Sequence, residues 1–487
     1  MSFKNSLLSF FGLSLLAGSS LAHPHYNGVN NHHPRGLSDL LPTGILPTSL
    51  FPTGLFPTGS GISGSPFPTA TGTSGSCPFP FSINATYPLG NSSISLNITS
   101  SCNSTNTSTT DFLRGVNVGS WLILEEWMVS DMFSGDASWA SDEWTFDQTS
   151  EAESALQKHW STYFTEADVQ TLKAAGINAL RIPIGFWAYD NSGTPYLKGA
   201  DAWLEKAIGW ARAANMKVWV DCHGSPGSQN GYDNSGHAGE VTWQQGDNLN
   251  RSISVLKTMA KKYGSVEYAD TVAAIEIVNE PISWGNNSFE TTQEWAEQAY
   301  YAIKAVATNK NLMVVTHDSF QQPSTSWGSV AATLNVNNSS RLFGVDTHLY
   351  QVFEDADNTL NQAGHIQEAC GWATDLTAAN DQFPTFVGEW SPATNICVNS
   401  DGTTTNGTSC STDGCQCESA DVSDWNDNMV EQVRRFVEAQ LDVFESSTSG
   451  YFMWSWDGPG AWSFKDGIQY GFIPNPVTSR KYAGQCS

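Results

Sequence analysis

Strand-like runs alternating with helix-like stretches constrain this chain more than any other feature. Apolar, β-branched runs fall at 113–118, 177–184, 217–223, 272–279, 312–318, 342–349, 385–389 and 450–456. Helix-like stretches stand between several of them, at 201–214, 248–263, 290–307 and 421–446. In the first of these, Lys206, Ala207, Trp210, Ala211 and Ala214 recur at helical spacing and predict a packed face. Eight β-runs with intervening helices predict an α/β fold of the (β/α)₈ barrel type. An open doubly wound sheet is the competing architecture. It wants a glycine-rich phosphate turn after an early strand, and the sequence has none.

A barrel of this type gathers reactive residues at the C-terminal ends of its strands. Here those ends carry Arg181-Ile182-Pro183, Asp221-Cys222-His223-Gly224, Asn279-Glu280, His348 with Tyr350, Glu389-Trp390 and Trp454-Ser455-Trp456. Glu280 and Glu389 stand out. A glutamate at a strand end is most often a solvated loop residue. Two of them, each closing an apolar run and flanked by aromatics, weaken that reading. Two carboxylates facing one site are the minimum apparatus for breaking a glycosidic bond, one as proton donor and one as nucleophile.

Composition narrows the partner. The chain has 487 residues and a formal net charge of −26, a field that repels phosphate backbones and argues against nucleic acid. A neutral polysaccharide is compatible with it. The 19 Trp, 24 Phe and 14 Tyr mostly fill a core, and they also supply faces on which sugar rings stack.

The N-terminal segments read differently from the rest. Residues 1–22 predict a secretory signal peptide: Lys4, an apolar run from Leu7, then Ser20-Leu21-Ala22. The expected location is therefore secreted, extracellular or in the cell wall. No later stretch has the roughly 20 apolar residues that cross a membrane, and the C-terminus has no hydrophobic anchor tail. Residues 23–76 repeat Leu/Phe-Pro-Thr-Gly, with Pro42, Pro47, Pro52 and Pro57 every five residues, and predict an extended linker. Residues 77–110 are crowded with sequons and predict a small glycosylated segment, with the catalytic body filling 111–487. Nine cysteines leave one unpaired. Cys222, inside an apolar run, is the expected free thiol. Cys77 with Cys102, and Cys370 with Cys486, are expected pairs. Cys397, Cys410, Cys415 and Cys417 share one loop and form two bridges in an undetermined pattern, or hold zinc; export favours bridges.

Arg114-Gly115-Val116-Asn117, Leu124-Glu125, Arg181-Ile182-Pro183, Asn279-Glu280-Pro281, His348-Leu349-Tyr350 and Gly388-Glu389-Trp390, in this order, resemble secreted fungal exo-β-1,3-glucanases of glycoside hydrolase family 5. The likeness runs from about Arg114 to Cys486. It is dense in Gln157-Lys158-His159-Trp160-Ser161-Thr162, in Gly224 to Gly231 and in Asp233-Asn234-Ser235-Gly236. The resemblance implies a (β/α)₈ barrel and a retaining mechanism, with Glu280 as acid/base and Glu389 as nucleophile. Mutual repulsion and burial are expected to keep Glu280 protonated while Glu389 is ionised.

Supporting roles follow from the same likeness. Arg181 holds and aims Glu389, or serves only as a salt bridge at the barrel mouth. Asn279 matches a residue that bonds the sugar 2-hydroxyl. His223 and His348 match histidines that contact sugar or orient carboxylates. Tyr350 donates to the nucleophile. Glu125 matches a carboxylate that binds terminal-sugar hydroxyls, and Trp456 is expected to form the stacking floor. Asp233 and Asn234 lie in a loop expected to wall off the far end. Tyr232, where phenylalanine is usual, and Phe353 match an aromatic clamp on the acceptor sugar. No metal or cofactor is expected, since two carboxylates suffice. The expected state is a monomer, with association to the cell wall.

Three departures from the pattern bear on the glycone: Glu126-Trp127, Thr347, and Asp457-Gly458-Pro459-Gly460. They leave open a diglycosidase acting on rutinosides or primeverosides, and an endo-β-1,6-glucanase. A non-catalytic wall-binding protein is the reading from another class. It would leave one glutamate idle, against the presence of Arg181, Asn279 and Tyr350.

Overall fold

The computed structural model describes residues 112–336 and 341–486, together with the backbone of Ser82–Leu89 and Ser92–Thr99. Those two strands pair antiparallel as a hairpin, with Ser82 opposite Thr99. The expected signal peptide, linker and Cys77–Cys102 bridge lie outside the described residues.

Eight parallel strands close into a barrel. They are β1 (Leu113–Asn117), β2 (Ala179–Gly185), β3 (Lys217–Gly224), β4 (Val272–Glu276), β5 (Met313–His317), β6 (Phe343–Leu349), β7 (Thr385–Trp390) and β8 (Gly450–Met453). The ring closes where Gly450 of β8 pairs with Leu113 of β1. The strands are nearly buried throughout, which explains why they read as continuous apolar runs rather than as alternating ones.

Helices lie between the strands. They include α1 (Ala152–Thr162), α2 (Glu166–Ala174), α3 (Ala200–Ala213), α4 (Asn248–Tyr263), α5 (Phe289–Val306), α6 (Gly328–Asn335), α7 (Gln362–Gly371), α8 (Ala373–Gln382) and α9 (Asp427–Ser447). Helix α4 buries Ser252, Val255, Leu256, Met259, Ala260 and Tyr263, the stripe that 3.6 residues per turn generates. The stripe expected for α3 needs correction. Ala207, Ala211 and Ala214 are buried and Trp210 packs against the core as expected, together with Ala200, Leu204 and Ile208, and Lys206 is the exception. Lys206 is exposed and lies 3.5 Å over the Trp203 ring, its ammonium in solvent. Helix α9 begins at Asp427, six residues later than expected, because the Asn426 side chain caps it by accepting from Met429 N.

Side chains alternate along each strand, so inward positions stack in layers. The floor is apolar: Ala179, Trp219, Ala274, Val315, Phe386 and Phe452 pack together, with Leu113 and Met313 against them. Trp219 meets Phe386 and Phe452 edge-on at 5.0 Å each. Truncating it to alanine would cost about 3–5 kcal/mol. Two residues further along, the inward layer turns polar, with Arg181, Asp221 and Glu276, all fully buried. Two more residues bring His223 and, on β6, His348 to the mouth.

In the β7–α9 connection, Ile396–Val398, Thr404–Asn406 and Gln416–Cys417 form a small antiparallel sheet that the sequence did not suggest. Cys397–Cys417 and Cys410–Cys415 bridge this loop, so its thiols are not available to zinc. Cys370–Cys486 ties the C-terminal segment to α7, and Cys222 is free and buried.

Candidate active site

Arg181 organises the barrel mouth from below. Its guanidinium donates to Glu276 Oε2 at 2.8 Å, Asn117 Oδ1 at 3.0 Å, Asn279 Oδ1 at 2.7 Å and Glu389 Oε1 at 2.8 Å. Asp221 lies 3.2 Å away and Asp346 3.9 Å. One buried cation thus faces four carboxylates. Burial, with Asp221 and Asp346 behind it, pushes Glu276 well above the usual carboxylate range against the pull of Arg181. The hydrogen-bonding fork of arginine is what permits so many partners at once.

Glu389 ends β7 with its second oxygen accepting from the Tyr350 hydroxyl at 2.8 Å. His348 Nδ1 lies 3.4 Å from that same oxygen. Burial pushes the Glu389 carboxyl up from its ordinary value, while His348 and Arg181 pull it back. The strand register is responsible for the approach. β6 and β7 slip by one residue at Thr347/His348, after which His348 pairs with Glu389. Gly388 is required beside it. A Cβ there would sit 2.0 Å from the Asp346 carboxylate, which accepts from the Gly388 amide.

Glu280 is not on a strand. β4 stops at Glu276, and Glu280 follows in a left-handed backbone conformation, φ +46°. Non-glycine residues adopt this region at a cost, and such sites cluster where function demands an unusual side-chain direction. Glu280 Oε1 is 2.7 Å from His348 Nδ1, and its Oε2 accepts from Asn234 at 2.8 Å. Both glutamates therefore reach one imidazole nitrogen. Their nearest oxygens are no farther apart than 2.7 and 3.4 Å laid end to end, about 6 Å. The other His348 nitrogen faces Asp346 at 3.2 Å. Burial works against protonation of His348, but Glu389 and Asp346 outweigh it and hold its pKa well above the ordinary imidazole value.

The cavity above these groups measures about 310 Å³. Glu125, His223, Tyr232, Asn234, Glu280, His348, Tyr350, Phe353 and Glu389 of the expected site line it. Arg181 and Asn279 lie one layer below, fully buried. Asn279 is 3.4 Å from His223 Nε2, whose Nδ1 is 2.6 Å from Asp221. Asp233 does not line the cavity, although its charge acts on Glu125. Burial, then Asp233, then Glu389 raise the Glu125 carboxyl well above its usual range. Glu125 Oε2 accepts from Trp127 Nε1 at 3.1 Å, and Oε1 is buried with no partner among the described residues.

Trp456 is a correction. It does not line the cavity; its indole packs in the core against Phe164 at 6.2 Å. β8 ends at Met453, and the cavity instead receives Trp454, stacked on the His223 ring at 5.5 Å and 14°. Trp462 lines it too, beside Tyr350 and Trp127.

Several other groups escaped the sequence reading. Asp221, Glu276 and Asp346 stand two or four residues before His223, Glu280 and His348, so inward alternation would have found the first and third. Trp284, Phe320, Glu354 and Asp357 come from loops and carry no such signal.

Besides the disulfide-bonded Cys397, Cys410 and Cys417, two side-chain groups among the described residues are close enough to share an ion: Glu280, His317 and His348, and Glu276, Asp346 and His348. Neither fits a resident metal. In the second group, Arg181 already supplies the cation. In the first, His317 Nδ1 accepts the Ser319 amide at 3.1 Å, so its ring proton sits on Nε2 and blocks ligation there. Burial, reinforced by His348, lowers His317 to about 3 and keeps it neutral.

Comparison with known proteins identifies the family and the fold. The profile of Cellulase (glycosyl hydrolase family 5) matches residues 145–459. An Aspergillus niger protein named "Probable glucan 1,3-beta-glucosidase A" is 37% identical over 77% of this chain and 90% of its own length. "Glucan 1,3-beta-glucosidase 2" of Wickerhamomyces anomalus is 34% identical over 77% of this chain and 91% of its own. Among solved structures, rutinosidase from Aspergillus niger shares the fold with a TM-score of 0.59 and 22% identity, over 75% of this chain and 98% of that one. The extent of the profile match and the level of identity to these relatives establish that the chain belongs to glycosyl hydrolase family 5.

Proposed function

We propose that this glycoside hydrolase is a secreted, retaining exo-glucosidase that releases glucose from the non-reducing end of β-1,3-glucan. One observation carries the mechanism: the shared approach of Glu280 and Glu389 to His348 Nδ1, at 2.7 and 3.4 Å. The resulting limit of about 6 Å suits the roughly 5–5.5 Å of retaining carboxyl pairs. Inverting pairs, at about 6.5–9.5 Å, leave room for a water between them. The names of the relatives at 34–37% identity support the glucan and the glucosidase action.

In the first step, Glu389 attacks the anomeric carbon and the glycosidic C–O bond breaks. The leaving oxygen takes a proton from Glu280, and a glucosyl ester of Glu389 forms. In the second step, water attacks the same carbon, Glu280 accepts its proton, and the Glu389 carboxylate is released with β-glucose. Tyr350 and Arg181 occupy both oxygens of Glu389, which aims it and disperses its charge. His348 lies between Glu280 and Asp346, so the proton that Glu280 delivers is shared along the 2.7 Å contact with an imidazole that favours its charged form. Glu125, with a buried oxygen left over, supplies an acceptor for sugar hydroxyls at the cavity wall.

Proton NMR of laminarin during digestion tests both parts of the reading. Early appearance of β-glucose as the product supports it. Early α-glucose overturns retention, larger oligosaccharides as first products overturn exo action, and a disaccharide cleaved from rutin in preference to laminarin moves the protein to the diglycosidases.

A further inference from the structure

Glu143 is a buried carboxyl that the reaction above does not use. It opens a short helix, Glu143–Phe146. One of its oxygens accepts from the Leu124 amide at 2.7 Å, and the other accepts from the Trp187 indole at 2.9 Å. Asp142, Glu143 and Trp144 all stand outside the lining of the catalytic cavity. Their contacts lead instead to two loops that reach it.

The first loop carries Glu125. The Glu125 amide donates to the Ser120 hydroxyl at 3.0 Å, and the amide before it, that of Leu124, donates to Glu143. Two successive peptide groups are thus fixed by side chains, and they set where the Glu125 side chain starts. A buried peptide N–H left without its acceptor is costly, so this corner depends on Glu143.

The second loop carries Asn234, which donates to Glu280 Oε2 at 2.8 Å. Asn234 lies in the turn Asp233–Ser235, and the chain leaves that turn through Gly236 at φ +85°. The Trp144 amide donates to the Gly236 carbonyl at 2.9 Å, and the Ala238 amide donates to Asp142 Oδ2 at 2.8 Å. The Trp144 ring stacks on His237 at 4.4 Å and 12°. Trp187 closes the circuit. A Cβ added at Gly236 would lie 2.3 Å from its indole, so the ring that Glu143 holds packs directly on the backbone that presents Asn234.

We propose that Asp142 and Glu143 are positioning residues for the catalytic cavity: Glu143 sets the place of Glu125 through the Leu124 amide, and the two together set the turn from which Asn234 reaches Glu280. The inference rests on the glycosidase reading above and adds to it two side chains outside the cavity. Their effects separate, because Glu143 acts on both loops and Asp142 on the second.

The test compares laminaribiose, which needs the proton of Glu280, with a dinitrophenyl β-glucoside, whose leaving group departs without it. Active sites are counted by the burst from a dinitrophenyl fluoroglucoside, so misfolded protein drops out of the rates. Glu143→Gln keeps one acceptor oxygen for two donors. A misplacement of about 1 Å costs about 100-fold, so kcat/KM for laminaribiose should fall about 10- to 100-fold, and about fivefold or more further than that for the dinitrophenyl glucoside. Competitive inhibition by glucose, which takes no proton, should weaken about fivefold through Glu125, the loss of roughly one hydrogen bond. Asp142→Asn leaves one oxygen for the Ala238 and Thr145 amides. It should lower the laminaribiose rate relative to the dinitrophenyl glucoside about fivefold, with glucose inhibition within about twofold of wild type. Equal losses on both substrates with unchanged glucose inhibition are what a merely structural role gives, and they overturn the proposal, as do wild-type values in both variants. If Glu143→Gln yields no folded protein, Asp142→Asn decides: a lowered substrate ratio upholds the proposal and an unchanged one overturns it. A wild-type enzyme that gives no burst and cleaves neither substrate overturns the glycosidase reading itself, and the positioning roles with it.

Discussion

Tyr350 donates its hydroxyl to Oε2 of Glu389 at 2.8 Å, the oxygen that His348 also faces at 3.4 Å. Arg181 holds the opposite oxygen. The carboxylate is thus held at both ends, by Arg181 from β2 and by Tyr350 just beyond β6, where Glu389 lines the cavity.

Tyr350→Phe removes one of these holds while keeping the ring that packs on Phe353 and Trp462. A hydrogen bond to a charged group is worth about 1.5–3 kcal/mol. Turnover of an aryl glucoside should fall about 10- to 100-fold with little change in thermal midpoint. Unchanged kcat would show that the hydroxyl does not serve the nucleophile.

Glu280→Gln removes the proton donor. Its cost should depend on the leaving group, because a good leaving group departs without assistance. Hydrolysis of laminaribiose should drop by about 10²–10⁴, the usual range for general acid catalysis. Formation of the glycosyl-enzyme from a dinitrophenyl glucoside should drop far less. Equal losses on both substrates would assign Glu280 a different part.

Burial lifts the Glu389 carboxyl, and His348 lowers it again. Activity requires the ionised form, so the acid limb of kcat/KM reports this group. His348→Gln deletes a counter-charge and leaves Arg181 as the cation beside Glu389. Its pKa should rise further, and the acid limb should move to higher pH. A limb that stays in place or moves down would place the controlling ionisation elsewhere.

Glu418 is a buried carboxyl far from this chemistry in sequence. It accepts from the Thr394 amide at 3.0 Å and its hydroxyl at 2.5 Å, yet burial pushes it to about 8. The unfolded chain loses this proton near its ordinary value of 4.5, before the folded chain does. The group's contribution to stability is therefore present below that value and lost as pH rises towards 8. The thermal midpoint should decline across this window, and Glu418→Gln should flatten the decline. An equal slope in the variant would remove Glu418 as its cause.

The sequence by itself determined the barrel, because eight apolar runs separated by amphipathic stretches admit few architectures. It also singled out Glu280 and Glu389 as candidates, since two glutamates that each close an apolar run beside aromatics fit solvated loop positions less well than one alone. It paired Cys370 with Cys486 and left Cys222 free, as found. Only the tertiary structure decided which tryptophan lines the cavity. Trp454 and Trp456 occupy equivalent places in a local pattern, and the chain path beyond β8 turns one into the cavity and the other into the core. The same holds for Trp284, Phe320 and Trp462. They arrive on loops whose course is set by contacts between residues far apart in the chain, and periodicity carries no record of those contacts.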